Sequence, residues 1–77
     1  MKNYMEFIEI NPKIMFGKPV IKGTRITVEQ ILEDLGSGRK PSSLMKEYPI
    51  LSNQHIHAAF RFAADALKGE RIYPVAV

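Results

Sequence analysis

Gly17-Lys18-Pro19-Val20-Ile21-Lys22-Gly23-Thr24-Arg25-Ile26 is the stretch on which the fold turns. It holds two glycines, one proline, three cations and a short β-branched run within ten residues. Glycine permits positive φ or the close approach of another backbone. Pro19 fixes its own φ and biases Lys18 towards extended conformations. Val20, Ile21 and Ile26 favour extended backbone. Directly behind them, Thr27-Val28-Glu29-Gln30 reads as a capping box. The Thr27 hydroxyl would accept from the Gln30 N–H, and the Gln30 side chain would reach back to the Thr27 N–H. A bent basic loop is therefore delivered straight onto a helix N-terminus.

The plainer role of this loop is a tight connection between an N-terminal strand and the first helix. Its functional role is phosphate contact, because Lys18, Lys22 and Arg25 have no acidic neighbour between residues 13 and 25. The two roles are compatible. A P-loop is excluded: five residues separate Gly17 from Gly23, and no lysine follows Gly23 before Thr24.

Upstream, Tyr4-Met5-Glu6-Phe7-Ile8-Glu9-Ile10 is rich in aromatic and β-branched residues and ends at the turn signal Asn11-Pro12. It reads as a strand with apolar residues on both faces. Downstream, Val28, Ile31, Leu32 and Leu35 fall at the spacing of a core-facing helix that ends at Gly36 or Gly38. Pro41 opens a second helix with Leu44, Met45 and Tyr48 inside, stopped by Pro49. Ser52 caps a third, and Leu51 and Ile56 stand at the spacing of a hydrophobic staple. Ile56, Ala59, Phe60, Ala63 and Leu67 form its predicted inner stripe, closed by Gly69. The predicted architecture is mainly α with a small β element: an N-terminal strand or hairpin and a three-helix, helix-turn-helix-like bundle. It divides the single domain 1–77 into a strand and Gly-rich basic loop (1–26), three helices (27–69) and an extended apolar tail (70–77).

At 77 residues the chain makes one small domain that is marginally stable by itself. Hydrophobic residues at 45% and charged residues at 25% place it with globular rather than disordered chains. There is no cysteine, so no disulfide and no zinc knuckle, which leaves self-association or a partner as the route to added stability. Met1–Ile10 carries Glu6 and Glu9 and lacks the apolar centre of a signal peptide, and no run has the ~20 apolar residues of a membrane span. A cytoplasmic protein is the expectation. The net charge of +3 permits nucleic acid without demanding it.

The string from Gly17 to Val28, with Leu35, Gly38-Arg39 and Tyr48-Pro49 behind it, closely resembles the DUF433 family. The resemblance runs from about residue 8 to about residue 67. Members are small bacterial and archaeal proteins, and some are regarded as VapB-like antitoxins of PIN-type nuclease toxins. The resemblance thus implies a small trihelical helix-turn-helix protein with a PIN-like nuclease as its partner.

No catalytic constellation emerges from the residues, and no cofactor or metal is implied. His55 and His57 lie about 200° apart on a helix, too far round to share a metal. Recognition is better supported. The third helix carries Gln54, His57, Arg61, Asp65 and Lys68 opposite its predicted core stripe, with Asn53 at the start. The first turns of a second helix-turn-helix element meet base edges, where Asn and Gln suit adenine and Arg suits guanine. The candidate DNA-binding set is therefore Lys18, Lys22, Arg25, Asn53, Gln54, His57 and Arg61. His55, Ala58, Phe62 and Ala66 occupy a flank of that helix and, with Ile72 and Val75 of the tail, form a candidate homodimer or partner interface. Two functions follow: an antitoxin-like regulator that binds operator DNA and holds a PIN-like toxin inactive, or a homodimeric protein-interaction module with no DNA binding.

Overall fold

Val20 and Ile21 are fully buried, and their backbone is shared among several neighbours. They form β2 (Val20–Ile21), which pairs antiparallel with β1 (Ile8–Glu9), Ile8 opposite Ile21 and Glu9 opposite Val20. Beyond the pair, the Lys22 N–H donates to the Phe7 carbonyl and the Ile21 N–H to the Ile26 carbonyl, both at 2.9 Å. Val20 also bridges to Thr27, and the Val28 N–H donates to the Pro19 carbonyl at 2.9 Å. The structure, a computed structural model, describes residues 3–69.

Gly23 makes the return from β2 possible. The Thr24 N–H donates to the Ile21 carbonyl at 2.9 Å, closing a four-residue turn whose third residue, Gly23, has φ +82°. A type II turn demands positive φ at that place. The chain then enters α1 (Val28–Gly36), where Thr27 Oγ1 accepts from the Gln30 N–H at 2.9 Å. The reciprocal half of the predicted capping box does not form. Gln30 Nε2 instead donates to Asp34 Oδ1 at 3.2 Å.

Gly38, at φ +101°, ends α1 in a Schellman motif. Its N–H donates to the Leu35 carbonyl and the Arg39 N–H to the Asp34 carbonyl, each at 3.1 Å. Pro41 then begins α2 (Pro41–Glu47), and the Leu51 N–H, donating to the Tyr48 carbonyl at 2.8 Å, turns the chain into α3 (Asn53–Lys68). Arg39 clamps this corner, pairing with Asp34 at 3.6 Å and hydrogen bonding to the Glu47 carboxylate. α1 packs on α3, α2 packs on α1, and the N-terminal segment lies across α3. Ile8, Ile21, Val28, Ile31, Leu44, Leu51 and Phe62 meet in the core. Three helices behind a two-strand hairpin is the architecture that the sequence predicts.

Two details differ from the expectation. Only Ile8 and Glu9 of the predicted strand 4–10 are strand; Tyr4–Phe7 is a 3-10 turn. Asn3 nucleates that turn locally: its side chain accepts from the Met5 N–H at 2.9 Å and its carbonyl from the Glu6 N–H at 3.0 Å, which overrides β propensity. The second difference is a rotation of α3. Its buried positions are Ile56, Ala58, Ala59, Phe62 and Asp65, whereas Phe60 is 48% and Leu67 89% exposed. The 3-10 turn claims this side of the helix, since the Tyr4 hydroxyl donates to Asp65 Oδ2. Ala58 and Phe62, predicted as an interface flank, are thereby core residues of the chain's own fold. Tail residues Ile72 and Val75 lie outside the described residues.

Phe62 is 6% exposed while Phe16 is 95% exposed, so the two aromatics should differ sharply on substitution. Phe62→Ala is expected to cost about 3–5 kcal/mol in chemical denaturation. Phe16→Asn should stay within about 0.5 kcal/mol of the parent, because it removes no packing and asparagine tolerates positive φ.

The corner clamp makes a pH prediction. The Arg39 hydrogen bond holds the Glu47 carboxyl below its ordinary value, and the Glu47 charge pushes the Tyr48 phenol up. A carboxyl lowered by folding contributes stability above its unfolded value and loses it as pH falls through the folded one. Glu47→Gln should therefore lower the unfolding temperature at neutral pH and converge with the parent in acid. Parallel curves across that range would contradict the clamp.

Candidate nucleic-acid interface

The first turn of α3 is anchored through His55. The Ser52 N–H donates to His55 Nδ1 at 3.0 Å, so a histidine closes the N-terminal box that a Glu or Gln usually closes. The Phe7 ring meets the His55 ring edge-on, with centroids 5.4 Å apart and planes at 75°. Phe7 is also the residue whose carbonyl receives the Lys22 N–H. A chain of contacts from Lys22 through Phe7 to His55 thus links the end of β2 to the first turn of α3. This coupling of the basic loop to the helix is not visible in either segment alone.

Asn53, Gln54, His57 and Arg61 are all exposed on α3. Arg61 lies over the Tyr4 ring at 5.5 Å, a cation–π contact that holds its guanidinium on the outer surface. Asp65, predicted on the same polar face, is 5% exposed and accepts from Tyr4 instead. That correction leaves Gln54, His57, Arg61 and Lys68 as the outward stripe, without a solvent-facing carboxylate between them.

The loop cations divide. Lys18 Nζ is paired with Glu29 Oε1 at 3.0 Å, on the side of α1, so its charge is partly answered. Lys22 and Arg25 are exposed, and among the described residues neither side chain has an ion pair or hydrogen bond. The Glu9 carboxylate approaches the Gly23 N–H at 3.5 Å, which tempers the positive field of the turn. Arg25 lies beside Met15, Ile26, Thr27, Gln30 and Tyr48. Phe7 links the Lys22 backbone to His55 of α3, whereas Lys18 pairs with Glu29 of α1 and Arg25 lies beside Gln30 of α1 and Tyr48.

Two features carry little signal in the sequence. Met15 and Phe16 have φ of +49° and +58°, and Gly17 follows at +84°. Positive φ at consecutive bulky residues is uncommon and strained, and here it displays a phenylalanine to solvent. Only the Gly17 position was flagged by its residue type. The other is an apolar groove between α1 and α3, hidden from sequence because the rotation of α3 was not foreseen. Among the described residues, no cluster of His, Asp and Glu could hold a metal ion, and no helix is long and apolar enough to cross a membrane.

A family model described as "Protein of unknown function (DUF433)" matches residues 8–63. The chain belongs to the DUF433 family. The DUF433 match takes in both strands, the Gly23 turn, α1, α2 and α3 as far as Ala63, and so includes every candidate DNA-binding residue. A relative named "Uncharacterized protein y4eO", from Sinorhizobium fredii (strain NBRC 101917 / NGR234), is 30% identical over 67 residues. The alignment covers 86% of this chain and 30% of that protein, so the chain spans less than a third of the relative's length. No solved structure matches.

Arg25 offers a clean separation of roles within this DUF433 chain. With no ion pair or hydrogen bond to lose among the described residues, Arg25→Ala should leave stability within about 0.5 kcal/mol of the parent. A larger fall in unfolding free energy would show that the guanidinium anchors the loop.

Proposed function

We propose that this chain is an antitoxin-like regulator that binds operator DNA through α3 and the Gly23 turn and neutralises a PIN-like nuclease toxin. What supports the DNA half is a chain of contacts: the Lys22 N–H donates to the Phe7 carbonyl and the Phe7 ring meets His55 in the first turn of α3, with Lys22, Arg25, Gln54, His57 and Arg61 all exposed. Base edges in a major groove would meet Asn53, Gln54 and His57 in the first turns of α3, and Arg61 one turn further. Lys22 and Arg25 would meet the flanking phosphates, whose neutralisation releases counterions. Glu29 and Glu33 line the opposite flank of α3 beside Ala63, about 180° from Gln54 by helical arithmetic, so they do not oppose that approach. The toxin half is supported by resemblance to DUF433 members regarded as VapB-like.

Fluorescence anisotropy with duplex DNA from upstream of the protein's own coding sequence tests the first half. Affinity should fall steeply and log-linearly with salt. Arg61→Ala should weaken binding by about 1–3 kcal/mol if the guanidinium reads a base, and Lys22→Ala should reduce the salt slope. Binding that is absent, or indifferent to salt, overturns the DNA half. Inhibition of an adjacently encoded PIN-like nuclease by stoichiometric chain tests the second half.

The exposure of Phe16 and Leu67 favours a second reading, a protein-interaction module that never touches DNA. Failure of the anisotropy experiment with retained self-association would select it.

A further inference from the structure

The rotation of α3 turns an apolar stripe outwards. Phe60, Ala63, Ala64 and Leu67 fall within about 100° of one another around the helix. Leu67 is 89% exposed and Phe60 48%. The stripe runs into the groove of about 480 Å³ between α1 and α3, floored by Val28, Leu32, Phe62 and Ala66. Apolar surface that the described residues leave uncovered is of the kind that serves as an interaction site.

The edges of the face carry charge of opposite sign. Glu29 and Glu33 line it on α1, and Lys68 borders it on α3. Glu29 is already paired with Lys18, but Glu33 has no ion pair among the described residues. A uniformly basic partner would meet Lys68, and a uniformly acidic one would meet Glu33. A second copy of the same face suits both edges. Rotation by a two-fold axis sets the acidic edge of one chain against the basic edge of the other, since an isologous interface must be self-complementary.

We infer that this face is the contact between two copies of the chain, with Leu67 of each protomer seated in the α1–α3 groove of its partner and Lys68 opposite the partner's Glu33. The interface lies mainly on the second half of α3, so Asn53 and Gln54 at its beginning stay open on both protomers, while His57 and Arg61 stand at its edge. The pairing does not depend on DNA contact, so a negative DNA experiment leaves it standing.

Sedimentation equilibrium of the full chain at micromolar concentration and low salt is the test. The parent should be a dimer. Leu67→Asp should raise the dissociation constant by about tenfold or more, as loss of a central anchor does, while helical content is kept. Lys68→Glu should weaken the dimer, and Glu33→Lys combined with Lys68→Glu should restore it, which a merely structural role for either residue would not produce. A monomeric parent overturns the proposal. So does a dimer indifferent to Leu67→Asp, which would place the contact elsewhere. A monomer whose unfolding temperature drops on Leu67→Asp would assign the face to residues 70–77 of the same chain and would equally overturn it.

Discussion

The backbone of Val20 and Ile21 is the constraint on which the rest of the molecule depends. Two residues pair with β1, receive the Thr27 bridge and sit between the hydrogen bonds that join Phe7 to Lys22 and Pro19 to Val28. Their side chains are fully buried, so the knot is withdrawn from competing water. From it the N-terminal turn is aimed at α3, α1 is started, and the Gly23 turn is held out to solvent. Each of those three consequences feeds the candidate interface.

α3 then serves different neighbours on different faces. Its interior side meets the N-terminal turn through Phe62, Ala58 and the Asp65–Tyr4 hydrogen bond. A carboxylate that is buried needs such a donor, because desolvation without a partner is costly. Committing Asp65 inward removes an acid from the polar side of α3 that carries Gln54, His57 and Arg61. Its remaining faces are the polar stripe of Gln54 and Arg61 and the apolar stripe of Phe60 and Leu67.

Much of this was legible in the residues. The Gly-rich loop, the Thr27 cap, the Pro41 start and the ends at Gly38 and Gly69 are local matters, decided by φ preferences and short hydrogen bonds. The orientation of α3 was not, because the helix is apolar at Ile56, Ala58, Ala59, Phe60, Phe62, Ala63, Ala66 and Leu67 and supports two stripes nearly as well. The choice between them is made by tertiary contact with Tyr4 and Phe7, more than forty positions away along the chain. The same contact puts Phe62 and Asp65 inside, where the helical period alone puts them on a flank and on the surface. Strain at Met15 and Phe16 was also invisible, since bulky residues carry no signal for positive φ. For the site, Lys22, Arg25, Asn53, Gln54, His57 and Arg61 are polar types that read as surface in the sequence and are exposed in the fold, whereas the link from Lys22 through Phe7 to His55 required the fold.

The central claim is the proposal that the Gly23 turn and the first turns of α3, linked through Phe7, both meet DNA. Amide chemical-shift mapping of the full chain during titration with its upstream duplex tests it most directly. The account predicts concerted shifts at Lys22, Gly23, Asn53, Gln54, His57 and Arg61, with Glu29 and Glu33 unmoved. Shifts confined to the α1–α3 groove, or a spectrum that duplex DNA leaves unchanged, would contradict it.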